Sequence, residues 1–404
     1  MKKRYRIGLL IESSRGYGRG LLQGIANFAQ THDTWEVFYH EYALGQGIPR
    51  WLGDVTLDGL IARPDSRKLY HYIQRLRIPW VDLRNHRPVN PDVPTVAVDE
   101  SQVVKMAVQH LLEIGHRQLA FCGFHNVDFS HRRLQLFLGY AKSKGVRAHS
   151  YETVAPPHED PTESKIGIAG PEITAALESY GLSTEQSLVD WLKELPKPIG
   201  LFACNDVRGR QLLNVLRACK IDVPEEVSVI GVDNDELICK LSNPPMSSVD
   251  CNARMVGYRA AEVLNQMIEG QPLERNYDSI IPTGVVIRVS TDTTAIEDKL
   301  ISQALSYIRE NACQGIEVAD VVSHLPVSRA TLERRFRKIM DRSINSEINR
   351  VKIDRIKKLL LDTELKLAVV AKLTGFNHTE YMSSLFKKVT GMTPGQYRQN
   401  NRLS

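Results

Sequence analysis

Polar side chains follow several predicted strands in the first 290 residues, and their types suit a ligand rich in hydroxyl groups. Carboxylate, amide and guanidinium groups are planar, and each can pair with two adjacent hydroxyls. The carboxyl ends of parallel strands meet at one edge of a sheet, which is where open α/β sheets bind ligands. The candidate ligand-binding residues at those strand ends are Tyr17, Arg19, Arg63, Arg133, Asp206, Asp233 and Asn234.

A second interpretation applies to some of these positions. Asn205, Asp206 and Asp235 are residue types that cap helices, and each precedes a predicted helix or lies in its first turn. Both roles stay open for these three residues. Asp233 and Asn234 directly follow the apolar run at residues 229–232, and that position favours ligand contact.

The elements that must position these side chains alternate between short β-branched runs and segments of helical periodicity. This alternation predicts α/β lobes with parallel sheets flanked by helices. Between residues 147 and 171 the pattern fails, and the proline-rich, charged run at 155–164 predicts a surface insertion. The predicted strands cover residues 6–11, 35–39, 59–62, 80–83, 95–98, 118–122, 200–203 and 228–232.

Residues 298–400 show helical periodicity without strands. A short helix, a turn and a second helix occur twice, with a longer helix from Ile344 to about residue 361 between them. This arrangement predicts two helix-turn-helix units, each of which can place its second helix in the major groove of DNA. The apolar spacing predicts that the later of these helices, from His378 to about residue 389, buries Tyr381, Leu385 and Phe386.

Basic and small polar side chains on the two second helices are the candidate DNA-binding residues. Basic groups hold phosphates, while small polar and arginine side chains read base edges. For Arg334 and Arg337 the alternative is that the side chain is only solvated and contacts no DNA. The candidates are Ser328, Arg329, Thr331, Arg334, Arg335, Lys338, His378, Thr379, Ser383, Lys387 and Lys388.

Composition and charge restrict the class of protein. The 404 residues carry a net charge of +5, and residues 291–404 hold 19 Lys and Arg against 13 Asp and Glu. This basic excess indicates a polyanionic partner for the C-terminal part. The chain has no membrane-length apolar run, and its six scattered cysteines fit reduced thiols, so we expect a cytoplasmic protein that needs no metal or cofactor.

Several segments of the first 290 residues carry a family resemblance. IGLFACND at residues 199–206 and VPEEVSVIGVDN at residues 223–234 resemble the ligand-binding domain of LacI-type repressors, as do residues 98–120. The resemblance implies a periplasmic-binding-protein fold, with two lobes that close on a small molecule. LacI-type proteins carry a DNA-binding headpiece before the first strand, whereas here that strand begins at about residue 5, so the DNA reader is expected elsewhere.

The C-terminal segment resembles the AraC-type DNA-binding domain. The matching residues are SRATLERRFRK at 328–338 and LTGFNHTEYMSSLFKKVTGMTPGQYR at 373–398. The two resemblances together imply a sensor at residues 1–290 and a double helix-turn-helix domain at residues 291–404. They also imply a transcription activator of a sugar-catabolism operon that binds D-xylose or a related monosaccharide. The implied partners are double-stranded operator DNA, RNA polymerase and a second copy of the chain, with no membrane.

Two other classes of protein fit the sequence less well than a regulator does. An enzyme acting on a sugar is disfavoured because the sequence has no Gly-rich phosphate loop, H-E-x-x-H or G-x-S-x-G motif. A sugar-transport component is disfavoured by the two helix-turn-helix units and by the lack of a signal-peptide pattern. A regulator with a different small-molecule effector stays open.

Overall fold

The computed structural model describes residues 4–32, 34–43, 47–84, 92–125, 127–154, 186–292, 298–340, 342–363 and 365–401. The chain divides into two compact units. One comprises Met1–Leu111 and Arg117–Asp292, and the other comprises Leu112–His116 and Thr293–Ser404. We call them the sensor unit and the C-terminal unit. The sequence-based boundary at 290/291 stays a prediction.

Two six-stranded sheets organise the sensor unit, one in each lobe. The first-lobe sheet has the order β11-β5-β4-β3-β1-β2 and is parallel throughout. The second-lobe sheet has the order β12-β10-β9-β8-β6-β7, and only β12 runs antiparallel to its neighbour. The strands are β1 Tyr5–Leu10, β2 Trp35–Tyr39, β3 Gly59–Ala62, β4 Trp80–Asp82, β5 Thr95–Val98, β6 Gln118–Phe124, β7 Arg147–Thr153, β8 Ile199–Ala203, β9 Val227–Val232, β10 Ser247–Asp250, β11 Tyr277–Ile280 and β12 Gly284–Val286.

Helices cover these sheets because parallel strands need crossover connections. Apolar side chains form a separate core in each lobe, around Leu60 and Ile73 in the first and Leu201 and Leu212 in the second. The predicted two-lobed α/β architecture is confirmed. The helices of the unit are Gly16–Thr31, Trp51–Asp54, Arg67–Arg75, Glu100–Glu113, Asp128–Ser143, Gln186–Glu194, Asp206–Ala218, Glu236–Leu241 and Ala253–Ile268, with a 3-10 helix at Val289–Thr291.

One sequence-based expectation about this unit is wrong. Residues 147–153 were expected to lack regular structure, but they form β7, which pairs in parallel with β6 at the edge of the second sheet. The segment lacks an apolar run because an edge strand buries little of its surface, so hydrophobic periodicity could not reveal it. The rest of the predicted insertion, including residues 155–164, lies outside the described residues.

Helices alone form the described part of the C-terminal unit, and they enclose two small cores. One core surrounds Leu332 and Phe336, and the other surrounds Met382 and Phe386. The helix Ile344–Asp362 contributes Ile348 to the first core and Ile356 to the second, so it joins the two helix-turn-helix units. The helices are Lys299–Asn311, Val318–Ser323, Arg329–Met340, Ile344–Asp362, Leu367–Leu373, Thr379–Thr390 and Pro394–Asn401, with a 3-10 helix at Ala312–Gln314.

Candidate functional site

A cavity lies between the two lobes of the sensor unit, at the carboxyl ends of strands from both sheets. Five of the seven predicted ligand-binding residues line it: Tyr17, Arg63, Arg133, Asp206 and Asp233. We call this cavity the crevice. The other lining residues are Glu12, Arg15, Gly16, Phe129, Asn205, Val207, Asp235 and Ile238.

An ion pair forms the first-lobe wall of the crevice. Arg63 donates from Nη1 to Oε1 of Glu12, and its guanidinium lies 5.1 Å from the centre of the Tyr17 ring. Burial opposes the charge of Arg63, but Glu12, Tyr17 and Asp233 outweigh it and raise the pKa of Arg63. Glu12 is only 1% exposed, and its other oxygen, Oε2, has no hydrogen-bond partner among the described residues.

Arg133 is the basic group of the second-lobe wall. Its Nε lies 2.7 Å from Oε2 of Glu100 and its Nη2 lies 3.0 Å from Oε1, so the guanidinium donates two hydrogen bonds to the carboxylate. Nη1 donates to the carbonyl oxygen of Cys204, which fixes the guanidinium in one orientation. Glu100 and the Cys204 carbonyl together therefore set the position of Arg133.

Asp233 lies in a turn of unusual backbone conformation directly after β9. Its φ angle is 101°, and Asn234 follows with a φ of 51°, a region that non-glycine residues seldom adopt. Burial raises the pKa of the Asp233 carboxyl to about 6, although Arg133 and Arg63 lower it. A strained turn that brings an acidic group to a cavity wall is typical of a ligand-binding position.

Asp206 and Asp235 fix that turn. Asp206 accepts hydrogen bonds from the Ser248 hydroxyl at 2.6 Å and from the Asp235 backbone nitrogen at 2.7 Å. Both oxygens of Asp206 therefore support the turn after β9, and its burial raises its pKa well above the ordinary value. Asn205 and Asp235 accept backbone N–H groups at the starts of the helices that follow them, so of the two roles left open for them the structure shows helix capping.

Asp235 also bridges the two lobes. Its Oδ2 accepts from the backbone nitrogen of Gly16 at 2.8 Å and from Nη2 of Arg19 at 3.2 Å. A side chain at position 16 would clash there, because a Cβ on Gly16 would lie 2.6 Å from the same oxygen. One carboxylate thus joins the first turn of helix Gly16–Thr31 to the turn after β9.

Two predicted ligand-binding residues do not line the crevice. Arg19 binds Asp235 and the carbonyl oxygen of Ser13, and its side chain is about half exposed. Asn234 accepts from Arg288 at 2.8 Å and donates to Asp250 at 3.1 Å, so its amide holds the second lobe together. Their ligand contacts stay predictions.

Glu12 and Phe129 also line the crevice and Glu100 holds Arg133 there, and none of the three was predicted as a site residue. Glu12 follows the apolar run of β1 directly, and that is the same signal which selected Asp233 after β9. Glu100 gave no such signal, because its pairing with Arg133 joins two helices that are distant in sequence. Phe129 lies one turn before Arg133 on the helix Asp128–Ser143, so the i, i+4 spacing was a signal that could have found it. The Arg133 guanidinium lies 5.4 Å from the centre of the Phe129 ring.

The predicted DNA-binding side chains of the first recognition helix, Arg329–Met340, lie at its surface. Ser328, Arg334 and Lys338 are exposed, and Thr331 is half-buried beside the Ser328 hydroxyl. Arg329 pairs with Glu333 at 2.8 Å and Arg335 pairs with Asp298 at 3.1 Å. These two arginines would have to exchange an intramolecular carboxylate for a phosphate.

The second recognition helix, Thr379–Thr390, exposes His378, Lys387 and Lys388 and leaves Thr379 and Ser383 half-buried. One expectation about this helix is wrong. Tyr381 was expected to be buried, but its side chain is 59% exposed, and Met382 occupies the core instead. The buried stripe of this helix is shifted by one residue, because Met382 packs in the core with Phe376 and Phe386. Tyr381 therefore lies on the exposed surface of the helix.

Known proteins resemble the chain along its whole length. Residues 108–291 match the family model of a periplasmic binding protein-like domain, and residues 321–400 match that of a helix-turn-helix domain. A xylose operon regulatory protein of Haemophilus influenzae is 33% identical over 409 residues, which cover 98% of each chain. Its namesake in Escherichia coli K12 is 31% identical over 405 residues, covering 99% of this chain and 98% of the relative.

A solved structure agrees with these matches. The structure of the xylose-binding transcription activator XylR is 29% identical, covers 100% of both chains and superposes with a TM-score of 0.61. The predicted resemblance to sugar-operon regulators, with a two-lobed sensor followed by a helical DNA-binding part, is confirmed. No helix within the described ranges is long and apolar enough to cross a membrane. Since identity above 30% extends over nearly the full length, the chain belongs to the family of xylose operon regulatory proteins.

Proposed function

We propose that the protein activates transcription of a sugar-catabolism operon when D-xylose, or a related monosaccharide, binds in the crevice. The observation that carries the proposal is the crevice wall itself, where Arg63, Arg133 and Asp233 offer planar charged groups. The rings of Tyr17 and Phe129 line the same cavity and suit the apolar face of a sugar ring. The xylose-binding relative supports D-xylose as the first sugar to test.

The effector acts by shifting a population. A sugar that contacts both lobes binds the closed sensor more tightly than the open one, and this difference in affinity is what can drive a switch. We propose that closure changes how two protomers of a homodimer present their recognition helices to operator DNA. In this scheme the effector-binding residues are Tyr17, Arg63, Arg133 and Asp233, and the DNA-binding residues are those predicted above together with Tyr381.

The C-terminal unit recognises DNA through two adjacent major grooves in this proposal. Lys338, Lys387 and Lys388 contact phosphates, while Ser328, Thr331, Arg334 and Ser383 face base edges. Activation further implies contact with RNA polymerase, and a reducing cytoplasm suits the free cysteines. The crevice binds its sugar without converting it, so we propose a regulator and not an enzyme.

Calorimetric titration of the purified protein with D-xylose and a panel of other pentoses and hexoses tests the effector. We expect binding of D-xylose in the micromolar range and loss of that binding in Asp233→Ala. Binding of another sugar would move the effector and keep the regulator, whereas turnover of the sugar would contradict the proposed function. Gel-shift titration with fragments of the adjacent promoter, and light scattering with and without DNA, test operator binding and dimer formation.

A further inference from the structure

One acceptor in the crevice has no partner among the described residues. Oε1 of Glu12 pairs with Arg63, but Oε2 accepts no hydrogen bond, although the side chain is 1% exposed. A buried carboxylate oxygen without a donor is costly, because it has lost its water and gained nothing in exchange. Since Glu12 lines the crevice, a donor brought by a ligand would satisfy this oxygen.

The charges around the crevice are already matched. Glu12 pairs with Arg63, and Glu100 pairs with Arg133 at 2.7 Å. Burial lowers the pKa of Arg15, although the nearby charges of Glu12, Asp235 and Asp233 act in the opposite direction. Each guanidinium that lines the crevice therefore has a carboxylate of the protein near it, and Asp233 adds a negative charge that faces the ligand space.

We propose that the crevice selects a neutral sugar and that Glu12 determines this specificity by accepting a hydrogen bond from an effector hydroxyl at Oε2. Sugar phosphates and sugar acids are disfavoured, because their anionic group would lie beside the carboxylates of Glu12 and Asp233. Arg63 also positions Glu12, since it binds Oε1 and leaves Oε2 for the ligand. The inference rests on the proposed function, because it concerns the sugar of that same crevice.

The wild-type protein provides the first half of the test. D-xylose, L-arabinose, D-ribose and D-glucose are titrated calorimetrically, each alongside its aldonate and its terminal phosphate. We expect a neutral sugar to bind at least 100-fold more tightly than its two anionic derivatives. Equal or tighter binding of an aldonate or phosphate would overturn the inference and leave the sugar-responsive regulator intact.

The Glu12→Gln variant provides the second half. Glutamine keeps an oxygen for Arg63 and places an NH₂ group where Oε2 was, so it donates where glutamate accepts. We expect the affinity for the neutral sugar to fall by about 10-fold or more, as when a hydrogen bond to a charged group is lost. Glu36→Gln is the matched control, because Glu36 lies on β2 of the same sheet but is exposed and pairs with Arg6 at 3.9 Å.

Monodeoxyfluoro derivatives of the bound sugar distinguish recognition from damage to the fold. Fluorine accepts but cannot donate, so one derivative should bind the wild-type protein poorly and regain relative affinity in Glu12→Gln. The same ranking of derivatives in both proteins would overturn the role of Glu12. No binding of any neutral sugar by the wild-type chain would overturn the proposed effector class and this inference together, whereas the other outcomes separate them.

Discussion

Asp233 is the residue at which the electrostatics of the crevice can be measured most directly. Burial raises the pKa of its carboxyl to about 6 from an ordinary value of 3.8, so the folded protein holds this proton more tightly than the unfolded chain does. The stabilisation from this group is therefore fully present below about pH 4, and it is lost as the pH rises through 6.

Asp233→Asn should remove that pH dependence. Asparagine tolerates the left-handed backbone at this position and stays uncharged. We expect the variant to be more stable than the wild-type protein at pH 7 by about 3 kcal/mol and to match it near pH 4. Urea unfolding of both proteins across this range measures the difference. Asp222→Asn, an exposed position of the same lobe, is the control. A gap that stays constant with pH would contradict the prediction.

Individual residues also show where sequence reasoning succeeds. Tyr17, Arg63, Arg133, Asp206 and Asp233 reach the crevice as expected, because the ends of parallel strands fix the location of the residues that follow them. The hydrogen-bond partners of the site residues were not predictable in this way. That Asp206 supports a turn, or that Asn234 binds Arg288, depends on groups 29 to 54 residues away in sequence.

At the scale of elements, the contact between helix Gly16–Thr31 and the turn after β9 makes lobe closure testable. Gly16→Ala introduces a methyl group 2.6 Å from the Asp235 carboxylate oxygen, which forces the two walls apart. We expect effector affinity to fall by about 10-fold, since the closed state becomes less populated. Gly139→Ala is the matched control, because a Cβ there meets no atom within 4 Å. Unchanged calorimetric affinity in Gly16→Ala would show that this contact opens freely.

The turn before the second recognition helix is a second element that should not tolerate a side chain in place of its glycine. Gly375 has a φ of 70°, and a Cβ there would lie 2.6 Å from the Gly315 backbone nitrogen. The Gly375 carbonyl also accepts from Lys352 at 3.0 Å. We expect Gly375→Ala to destabilise the protein by about 2 kcal/mol or more through strain and this clash combined.

Gly391 offers the matched control for that measurement. Its φ is 80°, but a Cβ there would meet no atom within 4 Å, so alanine adds backbone strain alone. Gly391→Ala should cost only about 1 kcal/mol. Thermal unfolding of the two variants compares them, and equal losses would show that the approach to Gly315 contributes nothing.

The second recognition helix should separate phosphate contacts from base contacts. Lys387→Ala should weaken binding to every DNA sequence and reduce the slope of log affinity against log salt by about 1. Ser383→Ala should leave that slope unchanged and reduce the preference for the operator over random DNA. Fluorescence anisotropy at several salt concentrations measures both. Lys142→Ala on the sensor surface is the control, and an unchanged slope in Lys387→Ala would remove this lysine from the interface.

Elements were also the scale at which prediction from sequence was uneven. Buried strands such as β3 and β8 stand out because both of their faces are apolar, and their predicted bounds are close to those observed. The edge strand β7 has half-buried, polar residues and depends on its pairing with β6. In the second recognition helix, Tyr381 was predicted to be buried where the adjacent Met382 is buried instead. Methionine and tyrosine are both compatible with a core, so the sequence could not distinguish them.

For the whole molecule, thermodynamic linkage constrains the proposed switch. If the sugar changes operator affinity by some factor, operator DNA must change sugar affinity by the same factor. We expect calorimetric titration of D-xylose into the protein–operator complex to give an affinity that differs from that of free protein, about 5- to 100-fold. The matching factor comes from operator titrations with and without sugar. Sugar affinity that is indifferent to operator would mean that activation does not act through DNA binding.

The 3-10 helix Val289–Thr291 has a bearing on modular engineering. Ser290 donates to the Val229 carbonyl at 2.6 Å, and Thr291 contacts His110 at 2.8 Å, so the sensor is not complete until these residues are in place. A chimeric receptor that grafts this sensor onto another output domain should therefore make its junction after Asp292. A junction a few residues earlier would remove the buried hydroxyls of Ser290 and Thr291 from the sensor. We expect such a chimera to bind the effector weakly with any output domain.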